Sequence, residues 1–398
     1  MAFDLTAAAS ILKENYLGPI RNQLNQATPV LAEIQRKTEG VVGKEVYVPL
    51  HTARGEAVGA RADGGSLPTA RNQSYKESTF KVRYQYARIE ITLPTIESTK
   101  SDTGAFLRAV DAETKGAMND LKEDFDRQVC SNDEAGTGTL AAIQTAGSSG
   151  TTYSTSGANA ATYRRARAGV YVDVFDSTGV TQRTGPTKVS SNSPSSSTIT
   201  FDVAVSGVAD GDIVVRTGSN GNEMVGIPGI VKATGTLQNI SSSTVATWKA
   251  SVFGNSGTAR ALSEDLMQQV IDDVAINAGE EPDAIACEHT QRRKFYALLS
   301  SMKRAVNTLD LKGGYKTIAF NDNIPLLVDR FFDADKMYFI NRSHLALYEM
   351  TDWNWADQDG AVLSRVAGKP NFEAFLYKFA NLGTDQRNAH GVLQDLAQ

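Results

Sequence analysis

Apolar positions recur near helical spacing through one long run, from Ser101 to Cys130. Leu107, Val110, Met118, Leu121, Phe125 and Val129 form a stripe, while Asp111, Glu113, Lys115, Asp120, Lys122, Glu123, Asp124 and Arg127 lie largely between them. Ser101 and Asp102 offer caps. The pattern predicts one helix of roughly 40 Å, a strut with a single buried side. Residues 5 to 24 carry a shorter stripe of Ile11, Leu12, Tyr16, Leu17, Ile20 and Leu24. That segment predicts an amphipathic arm, able to dock on its own body or on a neighbour.

Two-residue alternation takes over in the stretch between these helices. Glu45 to Leu50 reads as a strand, and a second runs from about Thr79 to Thr92. Phe80, Val82, Tyr84 and Tyr86 share one side of it, with Lys81, Arg83 and Gln85 on the other. Arg88 and Glu90 continue the first parity, so a change of environment is expected near Ala87. The strands are joined by HTARGEAVGARADGGSLPTARNQS, rich in glycine and charge. An isolated ribbon is marginally stable, so this excursion must lie on the next domain or on another subunit. Arg54, Arg61 and Arg71 on the tip suit polar contacts between subunits, although a solvated surface charge explains each one singly.

Beyond the long helix the residues to Ala160 are mostly Gly, Ser, Thr and Ala, which predicts a loop. Residues 161 to 235 predict a small all-β section, with strands at 170–175, 198–201 and 213–215 and SSNSPSSST as an exposed loop. Arg164, Arg165 and Arg167 form the one tight basic cluster, a candidate phosphate or nucleic-acid contact weighed against ordinary surface arginines. A second helix is expected over 259–279, capped by Thr258 or a near neighbour, then a buried strand at 282–287 and a third helix from Thr290 to about Lys303. Short strands follow at 326–329, 337–340 and 344–348. Phe372, Phe375, Tyr377 and Phe379 predict a well-packed strand near the end, and residues 388 to 396 another. The class is α+β.

Composition narrows the function. The chain has 398 residues, 41% hydrophobic and 21% charged, with a formal net charge of -5. An acidic balance argues against a dedicated nucleic-acid binder, though not against a protein that encloses nucleic acid. Cys130 and Cys287 stand too far apart in sequence for a disulfide framework or a cysteine zinc site to be expected. The N-terminus has no secretory pattern and no stretch is long enough to span a bilayer, so synthesis and folding in the cytoplasm are expected, with no membrane partner.

No constellation of residues carries chemistry. His51, His289, His344 and His390 lack metal-ligand spacing, and no HExxH occurs. Gly218-Ser219-Asn220-Gly221-Asn222 lacks the lysine of a phosphate loop, and Gly254-Asn255-Ser256-Gly257 lacks the spacing of a nucleophile elbow. Asp272-Asp273, Asp329 and Asp333 read as solvated surface. No catalytic residue, cofactor or metal is expected. An extended arm, a strut helix and a polar β section fit a protein that works through its contacts.

The order of these elements resembles the major capsid protein of tailed bacteriophages, the HK97-like fold. NEMVGIPGIV from Asn222, the segment Thr247-Trp248-Lys249, ARALSEDLMQQVIDD from Ala259 and EPDAIACEHTQRRKFYALLSSMKR from Glu281 carry the resemblance. It implies an N-terminal arm over 1–43, an extended β-hairpin over 44–88 and a peripheral domain with a spine helix over 89–134. An axial domain would follow over 135–335, with a β-rich elaboration at about 165–225, and 336–398 would return to the peripheral domain.

The implied function is structural: hexamers and pentamers of an icosahedral shell that encloses double-stranded DNA. Arm and hairpin would lie across neighbours and bury Phe80, Tyr84 and Tyr86. The hairpin starts by residue 45, which leaves no room for the scaffolding region of some relatives, so a separate scaffolding protein is expected. A portal protein and decoration proteins are the other implied partners. Lys44, Lys76 and Lys81 sit at the hairpin base and not at its tip, so the lysine–asparagine crosslink of some relatives is not expected. The rival readings are an encapsulin-like compartment shell, a tail or adhesion protein, and an enzyme of unusual architecture.

Overall fold

The computed structural model describes residues 28–99, 103–144, 150–155, 160–193, 197–301, 308–310, 316–321, 323–357 and 364–398. The amphipathic stripe of residues 5 to 24 and the caps Ser101 and Asp102 lie outside the described residues. The chain divides into two compact units. One holds Arg83–Asp126 and Glu349–Ala380; the other holds Pro29–Val82, Arg127–Tyr348 and Asn381–Gln398.

In the smaller unit, Arg83–Thr92 pairs antiparallel with Asn371–Thr384 in unbroken register, from Thr92 opposite Asn371 to Arg83 opposite Ala380. One parity is buried and carries Gln85, Ile89 and Ile91 on the first strand and Ala374, Leu376, Lys378 and Ala380 on the second. The predicted long helix is present as Thr103–Ser131, 29 residues and about 43 Å. Its Leu121 and Phe125 are buried, and Phe125 meets Trp353 edge to face at 5.4 Å. Lys378, 1% exposed, sits among them. Its Nζ lies 5.0 Å from the Trp353 ring and bonds Glu349 and Asp352, each at 2.8 Å. A buried ammonium needs such partners, and aromatic faces add to them.

The core of the larger unit is a seven-stranded mixed sheet. Its order is Ser251–Phe253, Gly391–Leu393, Met337–Ile340, Ala284–Cys287, Ile324–Val328, Lys316–Phe320 and Thr308–Asp310. The helices Glu264–Ala278 and His289–Ser301 pack on it, bringing Met267, Val270, Val274 and Phe295 against Ile285, Leu326 and Phe339. Each such fully buried side chain contributes about 1.5–3 kcal/mol. The first helix starts later than its apolar pattern predicts. Ser263 is its N-cap, accepting from Leu266 N at 3.2 Å, and Gly279 closes it at φ 80°.

A second sheet of six strands holds its own core of Tyr153, Val172, Val174, Ile199, Phe201 and Val214. Its order is Thr139–Ala142, Ile213–Arg216, Tyr171–Phe175, Gln182–Ser193, Thr198–Val205 and Gly150–Ser154. The stretch predicted as loop to Ala160 thus supplies two strands. Small residues hid them, since Leu140 and Tyr153 are the large side chains they bury. The start of SSNSPSSST is likewise strand, the end of Gln182–Ser193.

NEMVGIPGIV forms a clasp around the helix end that belongs to this unit. Glu223 pairs with Arg127 at 2.5 Å, both side chains 2% exposed. Met224 N donates to Gln128 Oε1 at 3.0 Å, and Met224 O accepts from Asn132 Nδ2. Gly226 passes so close that a Cβ would stand 2.5 Å from Gln128 O. Only glycine fits there.

Candidate assembly surface

Among the described residues, the hairpin and an aromatic face are exposed to solvent. The hairpin pairs Glu45–Ala53 with Ser74–Lys81, from Glu45 opposite Lys81 to Ala53 opposite Ser74. It is held within the larger unit near both ends of the strand pair. Thr79 N donates to Gln238 O at 3.1 Å, and Thr247 Oγ1 donates to Thr52 O at 3.2 Å. Trp248, buried beside it, donates to Leu237 O. The stretch around Thr247 and Trp248 therefore supports the hairpin.

The tip, residues 54 to 73, forms no helix or strand and is exposed almost throughout, with Val58 and Leu67 more than four-fifths accessible. Arg54 and Arg71 are exposed. Arg61 is turned back into the tip, donating to Ser66 O at 2.8 Å and Ala60 O at 3.0 Å. Gln73 Oε1 accepts from Gly55 N at 3.0 Å and lies 2.9 Å from His51 Nε2, which closes the neck of the loop.

The aromatic face belongs to the smaller unit. The strand expected to run from Thr79 breaks at Val82, which is buried. Phe80 therefore falls on the hairpin, in the larger unit, half-buried and edge-on to Tyr348 at 5.3 Å. Tyr84 and Tyr86 begin the next strand and are 47% and 58% exposed. Across the pair, Phe379 stands opposite Tyr84 and Tyr377 opposite Tyr86. Phe375, 44% exposed, continues the row. Ring centroids lie 4.9 Å apart for Tyr84–Phe379, 5.1 Å for Tyr377–Phe379 and 6.5 Å for Phe375–Tyr377.

Arg88 ends this ladder, bonded to Glu90 at 2.9 Å and to Glu373 at 2.7 Å. The hydrogen bond from Asn371 Nδ2 holds the Glu90 carboxyl below its usual range, with Arg88 adding to the effect. No change of environment occurs at Ala87. Arg88 and Glu90 stay on the face of Tyr84 and Tyr86, and that face is the outer one. The strand predicted as well packed is so on one parity, while Phe375, Tyr377 and Phe379 line the other. Their period-2 spacing was the available signal. Lys378 on the inner parity concealed which side was which.

The basic cluster is engaged internally. Arg164 donates to Glu288 at 2.6 Å and to Arg330 O at 3.0 Å. Arg165 bonds Phe331 O and, at 2.9 Å, Asp333. The Arg165 and Lys336 charges hold the half-buried Asp333 carboxyl far below its usual range, against the opposing effect of desolvation. Arg167 is half-buried. These residues tie the six-stranded section to the seven-stranded one, and a phosphate would compete with carboxylates for them.

The histidines are dispersed. His51 is on the hairpin; His344 bridges Asp385 at 2.7 Å and Glu280 at 3.1 Å. His390 is fully buried. Among the described residues no helix is long and apolar enough to cross a membrane.

A capsid subunit is the class of protein these features describe, and the comparisons agree. The chain belongs to the SU10 major capsid protein family, whose model matches residues 3–397. No protein of curated function matches it by sequence. Its fold is similar to that of a chain in the cyanophage A-1(L) capsid asymmetric unit, at 15% identity and TM-score 0.59, with 98% of each chain covered. It is also similar to a chain of the holo-SrpI encapsulin complex from Synechococcus elongatus, at 8% identity and TM-score 0.51, covering 99% of this chain and 95% of that one. A chain of the empty GTA particle capsid follows, at 11% identity and TM-score 0.50, with 98% of each covered. The chain is thus a structural, non-catalytic capsid protein with an α+β fold of the HK97-like kind, which self-assembles into shells.

Proposed function

We propose that the chain builds hexamers and pentamers of an icosahedral shell around double-stranded DNA. The observation that carries this reading is an exposed hairpin and aromatic ladder in a chain of capsid lineage. Arg54, Arg61 and Arg71 at the tip, with Phe80, Tyr84 and Tyr86, make contacts between subunits. Residues 1–43 act as arm, 44–88 as hairpin, 89–134 and 336–398 as peripheral domain and 135–335 as axial domain, with the β-rich elaboration at about 165–225. Assembly takes place in the bacterial cytoplasm with a scaffolding protein, and the finished shell carries a portal and decoration proteins. Contact of Arg164, Arg165 and Arg167 with nucleic acid is not part of this reading, because Glu288, Phe331 and Asp333 hold the first two.

The encapsulin likeness supports one alternative, a compartment that encloses protein cargo. Nuclease treatment of native particles separates the two. Protected double-stranded DNA of uniform length supports the virion reading; particles filled with enzyme and free of DNA overturn it.

A further inference from the structure

The six-stranded sheet is a body of its own. It curls until its outer strands meet, where Ile143 bridges Thr155 and Gln144 N donates to Ser154 O at 3.0 Å. Its buried cluster runs from Leu140 to Val214 and, among the described residues, draws on that span alone. The chain enters and leaves this barrel side by side, since Glu223 N donates to Gly136 O at 3.2 Å. Two adjacent crossings make a hinge, and movement between bodies joined in this way is the default unless a large apolar interface prevents it.

A second attachment lies away from the crossings. The short helix Ala160–Arg165 ends in two arginines. Arg164 donates to Glu288 and Arg330 O, and Arg165 to Phe331 O and Asp333. These acceptors stand on the segments that follow Ala284–Cys287 and Ile324–Val328, neighbouring parallel strands of the seven-stranded sheet. One end of that sheet therefore receives both guanidinium groups. Such charge-assisted bonds are strong and directional. They can also open. Without Arg164, Glu288 keeps the bond from Thr290 N; without Arg165, Asp333 keeps Lys336 at 2.9 Å. Arg164 is 36% exposed, so water can take over its donors.

We infer that residues 139 to 216 form a hinged module, and that Arg164 and Arg165 are the latch that fixes its angle to the seven-stranded sheet. The latch holds or releases without unfolding either body, so one chain can present the module at two angles.

Spin labels on the full-length chain test it, at Val180→Cys on the module and Ile276→Cys on the helix Glu264–Ala278, both at least 80% exposed. Cys130 and Cys287 are buried and stay unlabelled. Dilution with unlabelled protein keeps neighbouring copies silent. Amide exchange over Tyr171–Phe175 and Thr198–Val205 reports whether the barrel stays folded. With the latch intact, one narrow distance between the labels is expected. In the double variant Arg164→Ala/Arg165→Ala the distribution should at least double in width, with the barrel strands still protected. An unchanged distribution would overturn the inference. So would loss of protection in the barrel strands, which would make the arginines props of the barrel's own fold. Arg183→Ala breaks an ion pair internal to the barrel, to Asp212 at 3.3 Å, and should leave the distance unchanged. Equal broadening in that variant would also overturn the latch.

Discussion

Tyr84 stands edge-on to Phe379 at 4.9 Å, directly across an antiparallel strand pair, on the side that faces away from the core. Aromatic pairs in sheets usually stabilise the fold from within; here the pair is half in water. Replacing Tyr84 and Tyr86 together by serine removes two such pairings with Phe379, each worth about 0.5–1.5 kcal/mol at most for rings half in water. The unfolding midpoint of the single chain should move little, while the yield of shells on a sedimentation gradient should fall severalfold. A shell yield equal to that of the unmodified protein would contradict a role in assembly.

Lys378 is the opposite case, a charge enclosed by Trp353, Phe125 and two carboxylates. Lys378→Ala leaves the buried Glu349 without its counter-charge and should cost about 3–5 kcal/mol. Asp352→Ala should cost less than about 1 kcal/mol, because Asp352 is largely in solvent. Urea denaturation of both variants checks the order.

The clasp at the helix end predicts two further losses. Arg127→Ala removes the guanidinium paired with the buried Glu223 carboxylate, again about 3–5 kcal/mol. Gly226→Ala places a methyl group against the Gln128 carbonyl and the Asn132 backbone, which cannot retreat without unwinding the helix end. Soluble yield and thermal midpoint should fall for both. An unchanged midpoint in Gly226→Ala would mean that the approach is looser than described.

His390 makes stability depend on pH. Its Nε2 lies 3.0 Å from Thr384 Oγ1, whose own proton goes to His344 O, so Nε2 carries the hydrogen. Nδ1 then accepts from Asn341 N at 3.3 Å. Burial pushes its pKa down from 6.5 to about 3, with the neighbouring His344 adding to the effect. The unfolded chain therefore binds a proton that the folded chain does not. Stability from this group is complete above about pH 6.5 and is lost as pH falls toward 3, by roughly 1.4 kcal/mol per pH unit. His390→Gln should flatten that slope in denaturation series between pH 6.5 and 4. Equal slopes would refute the assignment.

Local chemistry made much of the fold legible. The helix Thr103–Ser131 and the strand Ala284–Cys287 follow from periodicity and apolar runs. The hairpin follows from alternation on both sides of a glycine-rich tip. What failed was deciding which parity of Arg83–Thr92 faces in. Tyr84 and Tyr86 look like core, and Gln85 like surface, until the partner strand is known. Burial of a sheet face is a tertiary outcome, and both parities of Asn371–Thr384 carry large apolar residues. Arg164 and Arg165 looked like a basic patch because their partners, Glu288 and Asp333, lie more than 120 residues away.

Electron microscopy of the purified full-length protein, alone and with candidate scaffolding genes, tests the central claim most directly. Closed icosahedral shells, or rings of five and six subunits, are the predicted result. Discrete monomers or dimers under every condition, with no ring or shell, would contradict it.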